Sequence, residues 1–383
     1  MNRGNCGANL PVLRGHNAAL VLDLLRSATA GGGAGISRLE LAERTGLTPQ
    51  AVSKIVARLR AEGMATEAGR RASTGGKPRT LLRLVPSARY AIGLHLDRDE
   101  MTAVLVDLTG ERVAVRTAPF DLGADPAAVL DAVAARVREL LTGVDRRAVL
   151  GAGAAVPGPL DHRSGVLRRV TRFPHWDGFP LGDALADRLG LPVTVDKDTN
   201  AAALAVLGLR DAPPESRPAE GADAAPSQLA DPAGSFAYLH LGTGLGAGLV
   251  LDGAVYRGPR TGAGEFGHQV VRLDGPPCGC GKRGCLEALC LAALNRADTV
   301  TAARLLGVGA ANLVALLDID RVVLGGRAVL AARETFAAGV AAVLAEQSAH
   351  PVPVTVAPAD RPTVADGAAR LVLAPVFGRE ALG

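Results

Sequence analysis

The chain has 383 residues, of which 48% are hydrophobic, and it carries a net charge of +4. This composition suits a globular protein of two or three domains with a substantial core. No apolar run approaches the roughly 20 residues of a membrane span, and the N-terminus lacks a charged segment followed by an apolar signal sequence. We therefore expect a cytoplasmic protein without a membrane partner.

The charge is distributed unevenly along the chain. Residues 1–85 contain 13 Lys and Arg against 5 Asp and Glu, whereas the remainder contains 29 against 33. A basic front on a nearly neutral body is typical of a protein with an acidic partner, most often nucleic acid. An Arg-rich solvated surface would give the same counts, so charge alone leaves both interpretations open.

Three amphipathic helices are predicted within the first 60 residues. The first spans Leu10 to Ala28, where apolar side chains recur with a period near 3.6. Ser37 and Glu40 have the spacing of a capping box at the start of the second helix. Thr48 followed by Pro49 predicts the N-cap and first position of the third. The short turn between the last two helices is typical of a helix-turn-helix, although any three-helix bundle could mimic the apolar pattern.

A basic β-hairpin is predicted after the third helix. Met64 to Thr66 and Thr80 to Val85 have the pattern of short strands on either side of the turn Gly75-Gly76. Such a wing can neutralise phosphates or enter the minor groove, and a solvated loop is the alternative. We predict a winged helix-turn-helix over residues 1–86 that binds a double-stranded DNA operator. Its predicted DNA-contacting residues are Ser37, Thr48, Gln50, Ala51, Ser53, Lys54, Arg58, Lys77 and Arg79.

Beyond residue 86, strands alternate with helices, which indicates an α/β fold with a mixed sheet. A second β-β unit repeats the beginning of this region and predicts two similar lobes with a cleft between them. The predicted elements are strands Ala91–Leu96 and Met101–Leu108, helix Ala127–Leu141, and strands Ala148–Ala155, Phe236–Leu241, Gly248–Leu251 and Arg321–Leu324.

The two predicted lobes are residues 87–200 and residues 201–383. Within the second, residues 211–234 are rich in Pro, Ala, Asp and Glu and contain almost no large apolar side chains. A segment of this composition cannot bury enough surface to offset the entropy lost on ordering. We predict a disordered insert there.

A cluster of cysteines indicates a metal site. Cys278, Cys280 and Cys285 lie close together and follow His268 by a short interval. Three thiolates and one imidazole form a complete tetrahedral set for zinc, which leaves no open position for water, so we expect a structural role. In a cytosolic chain such a cluster favours metal over disulfide. Cys290, on a predicted helix, fits a small apolar core residue better.

From Ile36 to about Leu330 the chain resembles the ROK family (repressor, open reading frame, kinase), specifically its branch of xylose repressors and N-acetylglucosamine repressors. Glycine loops are common in many proteins, but Glu-Phe-Gly-His followed by this cysteine spacing is specific. The matching motifs are Gly151 to Asp161, Asp198-Thr-Asn200, Leu241 to Gly248, Glu265-Phe-Gly-His268, the cysteine loop and Gly325-Gly326.

The resemblance implies an actin-like, two-lobed, hexokinase-type fold that holds a sugar in its cleft. It implies that Glu265, His268 and Glu287 bind sugar hydroxyls, with the second imidazole nitrogen of His268 on zinc. Asp198 matches the residue that takes the proton from the attacking hydroxyl in kinases. Rigid acceptors and donors suit a polyol independently of the resemblance. The alternatives are that both glutamates are solvated and that Asp198 caps the helix beginning near Ala201.

Two departures from the family pattern bear on function. Where ROK kinases have an aspartate-x-glycine-glycine-threonine loop, this chain has His95-Leu-Asp97-Arg98-Asp99. Bulky side chains and added carboxylates oppose a triphosphate, so we expect no enzymatic phosphoryl transfer. Lys197 replaces the usual Asn before the aspartate. It is assigned to the sugar site, where it would pair with Asp198 or meet an anionic group.

These observations favour a sugar-responsive transcriptional regulator of carbohydrate metabolism genes. We expect a repressor that acts as a homodimer, with a tetramer also considered, and whose effector is a sugar or sugar phosphate. One alternative is an ATP-dependent sugar kinase fused to a DNA-binding domain. Another is a DNA-binding protein whose sensor has lost its ligand, an interpretation favoured by Lys197 and by a short segment between Glu287 and Gly325.

Overall fold

A computed structural model describes residues 10–71, 79–168, 170, 173–210 and 234–379. Two features predicted from sequence lie wholly or largely outside these ranges: the wing tip with Lys77 and the insert predicted at residues 211–234.

The first domain is a winged helix-turn-helix, as predicted. Its helices pack against a small antiparallel sheet of strand order β1-β3-β2. The helices are α1 (Leu10–Thr29), α2 (Arg38–Thr45) and α3 (Pro49–Ala61). The strands are β1 (Ile36–Ser37), β2 (Ala65–Arg71) and β3 (Arg79–Leu84), so the first wing strand is longer than the predicted Met64–Thr66.

Local sequence signals set the helix ends of this domain. The Ser37 hydroxyl accepts the Glu40 N–H, and the Glu40 carboxylate accepts the Ser37 N–H at 2.8 Å. Gly46 ends α2 with a φ of 68°, which favours glycine. Thr48 caps α3 by accepting the N–H of Ala51. Both predicted caps are confirmed.

The first lobe contains a five-stranded mixed sheet of strand order β6-β5-β4-β7-β10. The first three strands are antiparallel neighbours, whereas β7 runs parallel to both β4 and β10. The strands are β4 (Tyr90–Leu96), β5 (Glu100–Asp107), β6 (Arg112–Pro119), β7 (Val149–Val156) and β10 (Val193–Lys197). A two-stranded ribbon, β8 (Leu160–Asp161) with β9 (Val166–Leu167), follows β7. The lobe's helices are α4 (Pro126–Leu140) and α5 (Leu181–Leu189). Strand β10 is followed by α6 (Asp198–Arg210), whose buried side chains pack mainly against the second lobe.

The second lobe contains a sheet of strand order β13-β12-β11-β14-β15. Its strands are β11 (Phe236–Leu241), β12 (Leu245–Leu251), β13 (Ala254–Val255), β14 (Arg321–Gly325) and β15 (Val354–Val356). If the five strands of each sheet are numbered in chain order, both sheets have the spatial order 3-2-1-4-5. The strand directions also correspond: the first three are antiparallel neighbours, and the last three are parallel. The predicted duplication into two similar lobes is therefore confirmed. The cleft lies at the carboxyl ends of the central strands, where α/β folds bind ligands.

The second lobe's helices are α7 (Leu286–Asn295), α8 (Thr299–Leu317), α9 (Arg327–Ala331) and α10 (Arg333–Gln347). Helix α8 is long and apolar enough to cross a membrane by length and composition, which departs from the sequence expectation. It packs against α7 and α10, and its buried side chains belong to the second-lobe core. Core helices of soluble proteins share these properties, so α8 is weak evidence for a membrane.

The last helix, α11 (Thr363–Val376), packs on the first sheet rather than on the second. It approaches β7 so closely that a Cβ at Gly153 would lie 1.8 Å from the Ala368 carbonyl oxygen. Beyond the helix, the Phe377 ring lies under the Arg26 guanidinium of α1, 5.2 Å from its centre. One buried cluster contains side chains from the DNA-binding domain, from β4 and β5, and from α11. The lobe boundary at residue 200 stays a prediction, but the chain returns to the first lobe after it.

Candidate functional site

The exposed face of α3 carries most of the predicted DNA contacts. Gln50, Ser53, Lys54 and Arg58 are exposed, and their spacing places them on adjoining positions of one helix face. Arg58 lies 3.7 Å from Glu62, an exposed pair that leaves the guanidinium accessible. The domain therefore presents a polar, basic helix face, as the major groove requires.

The remaining predicted DNA contacts are placed differently. Thr48 and Arg79 are exposed and Ala51 is half-buried. Ser37 is buried, at 3% exposure, and its hydroxyl accepts a backbone N–H within the capping box. Its side chain is thus used in capping, and we no longer count it among the DNA contacts. Lys77 lies outside the described residues.

The five residues predicted to form the sugar site line one cleft between the lobes. The cleft encloses about 590 Å³ of space open to solvent. Each lobe contributes polar groups from the ends of its strands and from the loops that follow them. The predicted lining residues are Lys197, Asp198, Glu265, His268 and Glu287.

Two carboxylates of the cleft have different surroundings. Glu287, in the first turn of α7, is buried at 9% exposure, and its Oε2 accepts the Leu245 N–H at 2.8 Å. That bond fixes the carboxylate beside the glycine turn and leaves Oε1 for a ligand. Asp198 begins helix α6 rather than capping a helix near Ala201. Burial is the main cause that raises the pKa of Asp198.

Lys197 makes a contact that the sequence did not indicate. Its side chain is 3% exposed, and Nζ lies 3.3 Å from Glu265 Oε1 and also contacts the Ala263 carbonyl oxygen. The pairing with Asp198 considered above is not the contact present. Strand β10 and the loop before Glu265 belong to different lobes, so Lys197 bridges the two.

Sequence reasoning missed two further side chains of the cleft, Arg98 and His240. Arg98 Nη1 donates to the Thr243 carbonyl oxygen at 2.9 Å, across the cleft. His240 is the penultimate residue of β11, two positions before the glycine turn that begins at Gly242. The one available signal was the altered loop from His95 to Asp99, which was interpreted only as a lost phosphate site.

A buried ion pair joins the lobes behind the cleft. Arg257 Nε donates to Asp196 Oδ2 at 2.8 Å, and both side chains are at most 2% exposed. The same carboxylate accepts the side-chain amide of Asn200 at 2.8 Å. Because Asp196 lies two residues before Asp198, the pair fixes the strand end that carries the cleft carboxylate.

The cysteine loop brings four candidate metal ligands together. The ligand atoms of His268, Cys278, Cys280 and Cys285 all lie within 4.8 Å of one another. His268 Nδ1 is 3.6 Å from Cys278 Sγ, and Cys280 Sγ is 3.6 Å from Cys285 Sγ. Tetrahedral bonds of about 2.0–2.3 Å place ligand atoms about 3.3–3.8 Å apart, so the set fits a metal such as zinc. Because Nδ1 faces the thiols, Nε2 is left for the cleft.

Positive φ angles explain the glycines of this loop. Gly281 has a φ of 90° and Gly284 a φ of 67°, and a Cβ at Gly284 would lie 1.5 Å from the Arg272 carbonyl oxygen. Burial and the neighbouring thiols raise the pKa of Cys285 to about 12, a cost that binding of a cation to the thiolate would offset. Cys290 is fully buried in the second-lobe core and stands apart from the ligand group, as predicted.

A winged helix-turn-helix joined to a duplicated α/β body with a polar cleft defines a class of protein, a DNA-binding domain on a sugar-kinase-type fold. The chain belongs to the ROK family, whose model matches residues 91–210 and 225–297, half of its length. A second model, described as winged helix-turn-helix DNA-binding, matches residues 31–66.

Similar proteins include regulators. The chain is 30% identical over 254 residues to a putative xylose repressor of Caldicellulosiruptor sp. (strain Rt8B.4), a match that covers 66% of this chain and 59% of that protein. It is 30% identical over 263 residues to the DNA-binding transcriptional dual regulator NagC of Escherichia coli (strain K12), covering 66% and 58%. The chain thus spans less than two thirds of these curated relatives.

A solved structure extends the likeness to nearly the whole fold. A crystal structure described as a ROK family transcriptional regulator, a homologue of the E. coli MLC protein, superposes with a TM-score of 0.70 at 21% identity. The superposition covers 96% of this chain and 98% of that one. This likeness concerns the fold: both lobes and the DNA-binding domain have counterparts in one known architecture.

Proposed function

We propose that the protein is a sugar-responsive transcriptional repressor of carbohydrate metabolism genes. The observation that carries the proposal is a buried cluster that joins the basic DNA-binding domain to the first lobe, whose strand ends line a polar cleft. The relatives described as a xylose repressor and as NagC support it.

The cleft supports a polyol ligand by its chemistry. Glu265, Glu287 and Asp198 can each accept hydrogen bonds from hydroxyl groups. The His268 nitrogen that does not face the thiols can donate or accept one. Asp198 lies at the start of α6, His268 in a short helical turn at Phe266–His268, and Glu287 in α7. These elements hold the groups in place before a ligand arrives. Such preorganisation reduces the entropy lost on binding.

The turn after β4, at residues 97–99, argues against a kinase. Arg327, the first residue of α9, lies 2.6 Å from Asp99 and 3.8 Å from Asp97. These side chains stand in the turn where family kinases have phosphate-binding glycines. A nucleotide would have to break this ion pair and face two carboxylates. A fused kinase is the second candidate because Asp198 and the second glycine turn are retained, and sugar-dependent ATP turnover would support it.

A packed path connects the cleft to the DNA-binding domain. Helix α6 begins at Asp198 and packs against α11, where a Cβ at Gly367 would lie 1.7 Å from the Ala201 carbonyl oxygen. After α11, Arg379 lies 3.1 Å from Asp23 of α1. Helices packed this closely cannot move independently. We therefore infer that a ligand-dependent shift of α6 changes the position of α3, the helix that carries most of the predicted DNA contacts.

Zinc is proposed as the metal of the cysteine loop. His268, Cys278, Cys280 and Cys285 would hold it, and it would supply structural support rather than reactivity because the ligand set is complete. It would fix the His268 ring and the loop before Glu287, two elements of the sugar site. Loss of the metal would therefore weaken sugar binding as well as stability.

We further propose that the protein acts in the cytoplasm as a homodimer, with a tetramer as the larger alternative. A dimer places two recognition helices on one side of the duplex, and the spacing between them selects paired operator half-sites. A sugar that prefers one dimer geometry would shift this spacing.

The test begins with selection of duplexes from a random library by the full-length protein. Gln50→Ala should alter sequence preference, because Gln bonds bidentately to adenine, and Arg79→Ala or Lys77→Ala should weaken binding to all duplexes and reduce its salt dependence. A Lys77→Ala variant with changed sequence preference and unchanged affinity would contradict the wing assignment. A protein that retains no duplex at low salt would contradict DNA binding itself.

A further inference from the structure

A second pocket lies where α6, α11 and the turn between β5 and β6 meet. It encloses about 440 Å³ of space open to solvent, and none of its described lining residues lines the sugar cleft. Its polar lining comes from Arg361, Thr363, Asp366 and Arg370. Because α6 and α11 form the packed path from the cleft to the DNA-binding domain, a ligand in this pocket would contact that path.

Two glycines make room for the Arg370 guanidinium. A Cβ at Gly208, inside α6, would lie 1.8 Å from Arg370 Cζ, so an alanine there would displace the guanidinium. A Cβ at Gly110, in the turn between β5 and β6, would lie 3.9 Å from Arg370 Nη2. Glycine inside a helix costs about 1 kcal/mol relative to alanine. The guanidinium is therefore held between α6 and this turn at the cost of a weaker position in the helix.

Two more arginines lie around the same space. Arg112, the first residue of β6, donates from Nη1 to the Asp360 carbonyl oxygen at 3.3 Å, and its Nε is 4.0 Å from Asp366 Oδ1. Arg361 lies in the loop before α11 and lines the pocket. Arg112, Arg361 and Arg370 are all close enough to Asp366 to act on its pKa. Three guanidiniums therefore surround one carboxylate of the pocket, which leaves a surplus of positive charge.

The carboxylate of Asp366 is not saturated by these arginines. Burial raises its pKa to about 6 although the three arginines lower it, and the exposed Glu111 raises it further. Near neutral pH the group is therefore mostly ionised and can only accept hydrogen bonds. Among the residues described, Asp366 Oδ1 and Arg361 Nε are buried and have no hydrogen-bond partner. Such groups indicate a place that a ligand or an ordered water completes.

The unpaired donor and the unpaired acceptor together select the kind of ligand. The arginines favour an oxyanion, because guanidinium N–H groups match the geometry of phosphate and carboxylate. The Asp366 carboxylate requires that the same ligand also carry a hydrogen-bond donor. Phosphate and its monoesters can keep an acidic O–H near neutral pH, whereas sulfate and carboxylates are fully ionised there. A phosphate group thus meets both requirements.

We propose that this pocket is a second ligand site, separate from the sugar cleft, which binds phosphate or a phosphate monoester and thereby regulates operator binding. The regulation rests on the proposed function, whereas the binding site does not. A phosphate bound to Arg361 and Arg370 would link α11 to the loop before it and restrict the movement of α11 against α6.

The charge balance of this pocket is the reverse of that in the turn after β4. In that turn, two carboxylates, Asp97 and Asp99, lie within 4 Å of the single guanidinium of Arg327. In the pocket, three guanidiniums surround one carboxylate, which can accept the ligand's own O–H. The repulsion that opposes a triphosphate at the turn is therefore not expected here.

The binding site is tested by titration calorimetry in a phosphate-free buffer near neutral pH. The ligands are inorganic phosphate, glycerol 3-phosphate as a compact monoester, and sulfate. The proteins are the full-length chain, Arg361→Gln, Asp366→Asn, and Arg138→Gln as a control at an exposed position of α4. Thermal melting of each variant checks that it folds.

The parent protein should bind phosphate or the monoester about 10-fold or more tighter than sulfate, as one charged hydrogen bond permits. Arg361→Gln should weaken binding by about 10-fold. Asp366→Asn should remove the preference over sulfate, because the amide has no charge to repel sulfate, and Arg138→Gln should bind as the parent does. The two phosphate ligands show whether the free anion or a monoester is preferred.

Three results would overturn the binding site. They are the absence of saturable binding of either phosphate ligand to the parent protein, equal affinity of the parent for phosphate and sulfate, and unchanged affinity in Arg361→Gln. Retention of the full preference over sulfate in Asp366→Asn would overturn the role of the carboxylate as the acceptor of the ligand's O–H.

Regulation is tested by fluorescence anisotropy with a selected operator duplex. The saturating phosphate ligand should change the dissociation constant by about 5-fold or more relative to sulfate at equal ionic strength, which removes the general salt effect, and Arg361→Gln should abolish the change. If phosphate binds but only a sugar changes operator affinity, the regulatory role of the pocket is wrong. If neither ligand changes operator affinity, the proposed function fails, whereas a site found by calorimetry stands.

Discussion

The two lobes share one strand order, but they differ at the turn that follows the central strand. After β11 the turn is Gly242-Thr-Gly244, which lets the backbone pass close to its neighbours. After β4 the corresponding residues are Asp97-Arg98-Asp99, and they form contacts across the cleft. The two lobes thus share one architecture, but the turn after β4 carries charged side chains where the turn after β11 carries glycines.

The two lobes therefore have the same strand order but contribute different chemical groups to the cleft. The second lobe carries the candidate metal loop and two of the proposed ligand-binding carboxylates, whereas the first supplies Asp198, Arg98 and the surface that packs against the DNA-binding domain. A ligand in the cleft would therefore contact both lobes, and among the described residues the buried cluster that reaches the DNA-binding domain contains side chains of the first lobe and α11. A movement of one lobe relative to the other would therefore change the position of the DNA-binding domain.

The largest effect is expected from breaking the metal loop, which only the second lobe has among the described residues. Cys285→Ser should reduce bound zinc from about one per chain to near zero and lower the melting temperature by about 10 °C or more, because structural zinc contributes several kcal/mol. Elemental analysis and calorimetry measure both. The matched control is Cys290→Ala, which should keep its zinc. Full zinc content in Cys285→Ser would contradict the ligand assignment.

The buried ion pair that joins the lobes comes next. Arg257→Ala leaves Asp196 buried without its partner, so the free energy of unfolding should fall by about 3–5 kcal/mol. Urea titration followed by circular dichroism measures this change. Arg163→Ala, an exposed first-lobe arginine, should change it little. Equal stability of the two variants would show that the lobes do not depend on this pair.

A smaller effect is expected at the second-lobe carboxylate that meets the glycine turn. Glu287→Gln keeps an acceptor for the Leu245 N–H but removes the charge, so affinity for the sugar should fall by about 10-fold to 100-fold. Calorimetric titration with the sugar that stabilises the parent protein most gives the value. Glu334→Gln, on α10, serves as the control for loss of one carboxylate. Unchanged affinity in Glu287→Gln would remove α7 from the site.

The smallest effect is expected at the exposed ion pair between Arg327 and Asp99, in the turn after β4. Arg327 and Asp99 are 49% and 57% exposed, so Arg327→Ala should lower the free energy of unfolding by only about 0–1 kcal/mol, and high salt should erase the difference. Denaturation at low and high salt measures this. A loss that persists in high salt would indicate that the turn after β4 is a structural part of the lobe and not merely an altered binding loop.

Local signals made much of the fold predictable from sequence. The caps at Ser37 and Thr48 and the cysteine loop depend on residues a few positions apart, and all three were recognised. Strand β6 was missed because it is an edge strand with no buried side chain, so it lacks an apolar pattern. The docking of α11 onto the first sheet was missed because it joins segments more than 200 residues apart.

The candidate site was predicted in part for the same reason. Carboxylates and the histidine were found through motifs, whereas Arg98 depends on a contact with Thr243, 145 residues away. The pairing of Lys197 with Glu265 spans 68 residues and follows from how the lobes close. Such contacts depend on how distant segments pack together, and the local patterns of a sequence do not reveal this packing.

The most direct test of sugar-responsive DNA binding is the dissociation constant for a selected operator duplex, measured by fluorescence anisotropy with and without a saturating sugar that raises the melting temperature. We expect a change of about 5-fold to 150-fold, as coupling energies between two sites usually give, and its loss in Glu287→Gln. An operator affinity that stays the same with the sugar bound would contradict coupling between the cleft and the DNA-binding domain.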